Sequence, residues 1–424
     1  MRHILTITLF LSILLTSCVQ SDVVLKSSPH IKTFTFKSHK EVPGIENIQF
    51  TVDTIKCLIY NEDSAAYGYS LSKLLPYITY TGSPKEIKVN NVSWSTEDSI
   101  DFSQPVSMYI LSQNQKNEAT YTITVNQHSV NPDEIIWKEP TVINSNASSF
   151  MVATTTQAIY VFVCNPQATN YQYIVYSNYG SGWSQEVSFE SEYEISSIAT
   201  LQDQIYAIDP TGTSLLLFNQ DQWTTVGTLT EGTMTTLLGS LQKTLWIAGK
   251  NASNDAILLS YNGNQIQQNT QSTLPNQFAL EGATTLQTPY GLYLIGGEQD
   301  GVAQNCIISS DNGYYWTNIL NQTGKYCITP CYEPICAYYD HSIFVMNGFN
   351  NGQVVTDNYV SNNNGYSWNL IDSYQQQPST FTFQKGACAT VLNNNLYLFN
   401  TQASNQKALE VWEGRIRRVD FIRK

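Results

Sequence analysis

The placement of apolar residues takes three forms along the chain. Ile4 to Leu15 form a largely apolar run behind Met1-Arg2-His3. From His30 to about His128, apolar and polar positions alternate in short stretches: "IKTFTF", "IQFTV", "IKCLIY", "EIKVNNVSW", "SMYIL" and "TYTITV". Alternation sends successive side chains to opposite faces of a strand, and Pro, Gly, Asn or Asp breaks about every 10 residues predict a β-sandwich. "SLSKLLPYI" reads as a short helix or a corner between sheets. After "NQHSVNPDE" the pattern changes again.

In this last part a hydrophobic-aromatic pair recurs: Ile159-Tyr160, Ile205-Tyr206, Leu245-Trp246, Leu292-Tyr293, Ile343-Phe344 and Leu396-Tyr397, at steps of 40 to 53 residues. Upstream of each pair stands a small residue, Ala153, Ala199, Gly239, Ala283, Ala337 or Ala389. Downstream comes a third apolar stretch ending in a turn, and Trp183, Trp223, Trp316 and Trp368 open a fourth. Units of this length with four strands each predict a six-bladed β-propeller. The small residues suit innermost strands that crowd the axis, the aromatic pair suits packing between blades, and the tryptophan is expected over each blade's outer edge. A ring must also close to hide its edge strands, which places "IIWKEP" near the C-terminal blade, with Trp137 as a displaced fourth-strand tryptophan. The predicted organisation is a lipoprotein-type leader at 1–17, a tether at 18–29, a β-sandwich at 30–128 that the motifs below liken to an Ig-like module, and a six-bladed propeller at 129–424 that they liken to the kelch type, an all-β protein.

Two turns of the repeat read "SSDNGYYW" and "SNNNGYSW". The first, with Ser309, Asp311, Gly313 and Trp316, fits S-x-D-x-G-x-x-W, and the second offers Ser361, Asn363, Gly365 and Trp368. The pattern resembles the Asp box of sialidases, and "LYLIGGEQDG" resembles a kelch double-glycine repeat. Taken with "ATYTITVNQ", which looks like the last strand of an Ig-like module, the chain resembles the kelch-like and Asp-box propeller lipoproteins of Bacteroidota, many of uncharacterised function. Leu15-Thr16-Ser17-Cys18 resembles a lipobox, which implies cleavage before Cys18 and its acylation. Burying an acyl chain contributes about 0.8 kcal/mol per methylene, so two or more chains fix a protein to a membrane. The same lineage O-glycosylates Asp followed by Ser or Thr and a small or aliphatic residue, which implies Thr54, Ser64 and Ser99 as candidate sites.

Charge narrows the function. The sequence carries a net charge of −13, and its only arginines are Arg2, Arg415, Arg417, Arg418 and Arg423, a balance unsuited to nucleic acid. A sialidase grips its substrate's carboxylate with arginines from several blades, because a guanidinium presents a bidentate fork. Blades one to five contain none, so the box is read as a folding device in which Asp311 accepts backbone hydrogen bonds. Copper-oxidase chemistry needs histidine ligands, and the propeller region has only His341. Cys327, Cys331 and Cys336 admit a metal clip, a local disulfide such as Cys327–Cys331, or buried thiols, the last being the preferred reading. No motif points to a cofactor or a metal.

Asp203, Asp209, Asp255, Glu281, Asp300, Glu333 and Asp340 sit in loops and turns, and a convergent pair among them would suit glycoside hydrolysis. The leading expectation is instead a lipid-anchored envelope protein, held in the outer membrane, whose propeller binds a glycan or protein ligand without catalysis. A carbohydrate-active hydrolase other than a sialidase is the alternative.

Overall fold

A computed structural model describes residues 25–144, 149–320, 327–402 and 405–417. Cys18 and the apolar run before it lie outside the described residues. Contacts divide the chain into two units, Met1–Pro132 and Asp133–Lys424. Apart from single helical turns at Ile45–Asn47 and Ser373–Gln375, every regular element described is a strand. No described helix is long and apolar enough to cross a membrane.

In the first unit the strands divide between two sheets. Ile31–Phe36 pairs with Pro76–Tyr80, and a six-stranded sheet runs in the order Phe50–Asp53, Leu58–Asn61, Glu118–Thr124, Val106–Ser112, Pro84–Val89, Val92–Ser93. The division differs from the four-plus-three strands of an Ig constant domain, and Leu58–Asn61 lies parallel to Glu118–Thr124. Alternation does what the sequence suggests: in Val106–Ser112 every second residue is buried. Phe34, Phe36, Phe50 and Phe102 meet edge to face in the core, at 4.8 to 6.0 Å. "SLSKLLPYI" forms the corner: Leu74 bridges to Ile100 and Pro76 starts a strand. Asn61, fully buried, is satisfied by Asn126, whose backbone N–H donates to its Oδ1 at 2.6 Å, and by donation from its own Nδ2 to the Asn126 carbonyl at 2.8 Å. A buried amide with its partners in place holds those two segments together without a desolvation penalty.

The second unit is six antiparallel sheets in sequence, one per predicted repeat. Blade 1 comprises Ser149–Thr154, Ile159–Pro166, Tyr171–Asn178 and Trp183–Ser191; blade 2 comprises Ser197–Leu201, Gln204–Ile208, Ser214–Asn219 and Gln222–Thr228. Blade 3 comprises Thr233–Leu241, Thr244–Lys250, Ala256–Tyr261 and Ile266–Gln268. Blades 4 and 5 begin at Thr284–Thr288 and Ile335–Tyr339 and carry extra hairpins, Glu298–Gln299 with Val302–Ala303 and Phe349–Asn350 with Gln353–Val354. Blade 6 supplies only Cys388–Leu392, Asn395–Gln402 and Asn405–Ile416 from the C-terminal part; its fourth strand is Thr141–Asn144. Ile135–Trp137 pairs further along the same strand, with Trp137 opposite Gly414. The expectation for "IIWKEP" holds, and Gly414 has a reason to be glycine: a Cβ there would stand 2.7 Å from the Trp137 ring.

The core lies between the blades. Among the described residues the buried apolar side chains of this unit gather into six clusters, one for each pair of neighbouring blades, the sixth joining blade 6 to blade 1. Period two produces this arrangement directly. Val161 and Val163 face blade 6 while Phe162 and Cys164 face blade 2; Leu245 and Ile247 face blade 2 while Trp246 and Ala248 face blade 4. A second strand covered on both faces therefore reads as a continuous apolar run such as "IYVFVC".

Register shows what the small residues do. Ala153 pairs with Tyr160, Ala199 with Tyr206, Gly239 with Trp246 and Ala337 with Phe344, so four blades place a small residue directly across from the aromatic. Blade 4 departs from this, with Leu286 opposite Tyr293 and Ala283 before the strand; in blade 6 Thr390 faces Tyr397. The fourth-strand tryptophans differ from the expectation as well. Trp223, Trp316 and Trp368 are buried in the clusters shared with the preceding blade and do not cover the outer edge. Their rings are too large for the narrow outer strand to leave in water when a wedge of apolar surface from the neighbour is available.

Polar bonds also cross between blades. Thr154 and Thr390 hydroxyls meet at 2.7 Å, the Leu237 N–H donates to Ser197 Oγ at 2.9 Å, and Asp203 accepts from the backbone N–H and hydroxyl of Thr156 at 2.8 and 2.7 Å. These last two bonds hold the Asp203 carboxyl below the usual carboxylate range. A depressed folded value contributes stability above the unfolded pKa of about 3.9 and loses it as pH falls through the lower folded value. Asp203→Ala is therefore expected to lower the melting temperature at neutral pH, with the deficit shrinking in acid as the wild-type carboxylate protonates. Thermal melts of both proteins across an acid series check this; a deficit that is independent of pH refutes the clamp.

Candidate functional site

Antiparallel strands stacked in order outward from the axis give the propeller two unlike faces. Connections from first to second and from third to fourth strand are short turns on one face; those from second to third strand and from blade to blade lie on the other. The turn face is built from tight hairpins. Gln202-Asp203, Gln242-Lys243, Asp340-His341 and Asn393-Asn394 all hold positive φ at both positions, the geometry of a two-residue hairpin whose twist matches its strands. The loop face carries the extra hairpins of blades 4 and 5 and the longer connections between blades.

Both sequence boxes are third-to-fourth turns on the turn face. In blade 5, Ser361 Oγ accepts from the Gly365 N–H at 2.9 Å, Asn363 Oδ1 accepts from the Ser367 N–H at 3.0 Å, and Trp368 Nε1 donates to the Gly365 carbonyl at 3.0 Å. Blade 4 repeats this network with the participants moved by one residue. There Ser310 Oγ accepts from the Gly313 N–H at 2.8 Å, and Asn312 Oδ1 accepts from Tyr314 and Tyr315 N–H at 2.8 and 3.0 Å. Trp316 Nε1 donates to the Gly313 carbonyl at 2.8 Å.

Strand register explains the shift. Leu292 pairs with Ser310 whereas Ile343, its counterpart, pairs with Ser361, so Ser310 and not Ser309 matches Ser361, and the blade 4 turn is one residue shorter before its glycine. The expectation that Asp311 holds the hairpin is thereby corrected. Asn312 does so, and among the described residues Asp311 makes no side-chain hydrogen bond while Ser309 sits in the ladder opposite Thr317. Matching the two octapeptides position by position hid the one-residue difference. Gly313 is required twice over, by its φ of 83° and by the Trp246 ring, which would lie 2.0 Å from a Cβ. The turn of blade 4 is thus seated on the aromatic of blade 3.

The first strands of all six blades enclose a central channel of about 570 Å³. Its lining includes Thr154, Thr200, Gln287, Tyr338 and Thr390, together with Cys336 and Cys388, and no lining residue is charged. The candidate carboxylates lie elsewhere. Asp209 Oδ1 accepts from the Ser214 N–H at 2.7 Å and Asp255 pairs with Asn251 at 3.0 Å, both structuring turns. Glu333 meets Lys385 at 3.3 Å, Glu281 bridges to Glu298, and Asp300 holds the positive φ of a hairpin turn. Asp340 shares a second cavity, of about 520 Å³, with Asp133 and Asp372. Arg415 and Arg417 line neither cavity.

Among the described residues Cys327 and Cys331 are not joined to each other, so the disulfide alternative for that pair is not realised here. Burial raises Cys331 and Cys388 to about 12 and Cys336 well above the usual thiol range, which keeps them protonated and unsuited to nucleophilic work. Of the modification candidates in the first unit, Thr54 and Ser99 are exposed and Ser64 is half-buried.

A feature that sequence reading missed is the distribution of tyrosine. Tyr179, Tyr290, Tyr314, Tyr315 and Tyr366 are the tyrosines of this unit most open to solvent, 49 to 64 % exposed, and every one stands on a turn of the turn face. Abundance was visible in the sequence. Their common face was not, because the residues come from blades 1, 4 and 5.

Removing the true hairpin acceptor should matter more than removing the aspartate. Asn312→Ala loses two backbone hydrogen bonds, worth about 1–3 kcal/mol together, whereas Asp311→Ala stays within about 0.5 kcal/mol of the parent. Denaturant titrations of the two variants decide it, and an equal or greater loss in Asp311→Ala would return the role to the aspartate.

Residues 131–424 match the family model described as the DUF6242 beta propeller domain, and residues 24–125 match the one described as the DUF6242 N-terminal domain, a domain of unknown function. No curated protein matches the sequence. With both models met in order and the propeller model spanning most of the chain, this protein belongs to the DUF6242 family.

Proposed function

We propose that this is a lipid-anchored cell-envelope protein, held in the outer membrane through Cys18, whose propeller binds a ligand at its turn face without catalysis. The observation that carries the reading is that the five most exposed tyrosines of this unit all stand on that face. A tyrosine offers a broad apolar ring and a polar tip at little conformational cost, which makes it an effective contact for glycan or protein. Side-chain hydrogen bonds brace the turns that carry Tyr315 and Tyr366, from Asn312 in blade 4 and from Ser361 and Asn363 in blade 5, so little ordering is left for the moment of binding. The uncharged channel lining also supports binding over hydrolysis, since glycoside cleavage needs a carboxylate pair on the two sides of one bond. In this reading the N-terminal domain, Ig-like by its resemblance, is a spacer, and the two sequence boxes are folding devices.

Tyr315 and Tyr366, 61 and 64 % exposed, have little packing to lose. The double variant Tyr315→Ala/Tyr366→Ala is expected to keep its melting temperature and to lose at least about tenfold in affinity on a glycan array or a panel of purified envelope proteins. Unchanged binding by the double variant defeats the turn-face reading. Cys18→Ser is expected to abolish incorporation of labelled fatty acid and to release the protein from membranes; full labelling of that variant defeats the anchor.

A further inference from the structure

The channel and the tyrosines beside it support a more specific statement, which rests on the binding reading above. First strands run toward the turn face, so Thr154, Thr200, Gln287 and Tyr338, in their later halves, stand toward the turn-face mouth, with Thr390 at the middle of its strand. All are neutral hydrogen-bonding side chains. Thr154 and Thr390 share a hydrogen bond of 2.7 Å, and Gln287 Oε1 accepts from the Ser240 N–H at 3.0 Å, which leaves the Gln287 amide hydrogens without a partner among the described residues. Tyr338 is half-buried, and Tyr290, from the adjacent turn of blade 4, meets it edge on with ring centroids 6.3 Å apart.

This combination selects a ligand by exclusion. An ionised ligand entering the channel would lose hydration and meet no countercharge. A wholly apolar one would displace water from the half-buried threonine hydroxyls and from the amide of Gln287, which stands exposed at the mouth, and return no hydrogen bond to either. A molecule with an apolar C–H face and a rim of hydroxyls satisfies both requirements, and a pyranose ring is that molecule. The cavity of about 570 Å³ suits one or two such rings, within the range of about 300–1,000 Å³ common to small-ligand sites. We propose that the turn-face mouth of the channel binds the terminal neutral sugar of a glycan, its C–H face against the Tyr338 ring and its hydroxyls on Gln287 and the threonines.

Saturation-transfer NMR on the purified full chain tests this with glucose, galactose, mannose and N-acetylglucosamine and their methyl glycosides as probes. At least one probe should receive saturation at its ring C–H protons. Tyr338→Ala should weaken that probe by about tenfold or more, whereas Tyr338→Phe, which keeps the ring, should stay within about threefold. Thr200→Phe, in blade 2 across the ring from blade 5, fills the mouth while leaving Tyr338 in place and should abolish the signal at an unchanged melting temperature. Transfer to none of the probes overturns the proposal, as does native affinity in both Tyr338→Ala and Thr200→Phe. If Tyr315→Ala/Tyr366→Ala loses the sugar and those two do not, the channel proposal fails while the turn-face reading stands.

Discussion

Everything in the second unit depends on each blade being covered on both faces by its neighbours. A four-stranded sheet with two apolar faces has no stable existence in water; here six such sheets share their apolar surfaces around a ring, and the six inter-blade clusters are the result. The requirement is collective, because a blade lacking one neighbour exposes a whole cluster. Closing the ring is therefore not a finishing detail. Blade 6 has only three strands of its own, and Thr141–Asn144 supplies the fourth by pairing with Asn405–Ile416. Lys138 with Glu413 at 2.6 Å and Arg417 with Glu134 at 3.6 Å add charge pairs along that seam, although exposed pairs contribute little each.

The same wedge packing decides what the two faces can offer. Most large apolar side chains are consumed between blades, so the channel keeps a mixed, uncharged lining in which threonines, a glutamine and a tyrosine stand among apolar residues such as Met151 and Leu237, and the turn face keeps whatever its hairpins project. Gly313 and Gly365 show how tightly the two are joined: the first lets its turn sit on Trp246 of the preceding blade, and a Cβ at the second would press on Ile319 and Ile307 of blade 4. Tyr314 then packs edge on against Trp246 at 4.7 Å, which fixes one of the exposed tyrosines by the core beneath it. Ligand contacts on this face are thus extensions of the packing and inherit its rigidity.

How far the sequence discloses this structure follows from the range of each interaction. The blade count was legible because one apolar-aromatic pair per blade is a local signal, repeated whenever a second strand is buried on both sides. The closing segment was legible for a general reason, since a ring leaves no edge. Finer features depend on register or on distant partners. Ser309 and Ser361 align in the sequence but Ser310 and Ser361 align in the ladder, and a one-residue difference in turn length carries no sequence signature. The two-sheet arrangement of the first unit, with its parallel pair, likewise depends on which strands meet and not on which residues form strands. That the exposed tyrosines share one face could not be read at all, since they are spread over blades 1, 4 and 5 and the face exists only once the ring does.

Ring closure also has a temporal side. Thr141–Asn144 is synthesised long before Asn405–Ile416, so the strand that completes blade 6 waits through the making of five other blades with its hydrogen-bonding edge unpaired. Pairings of such wide sequence separation carry a large loop-closure cost and belong to slow folding. Until the last strand arrives, blade 1 is bare on one side, and the partly built ring exposes the very surfaces that later become its core. A cell making this protein has to keep the nascent chain from pairing elsewhere for that interval. Holding it extended until the final strand is available would meet that need, which makes the closing strand a constraint on how the chain is handled before it folds.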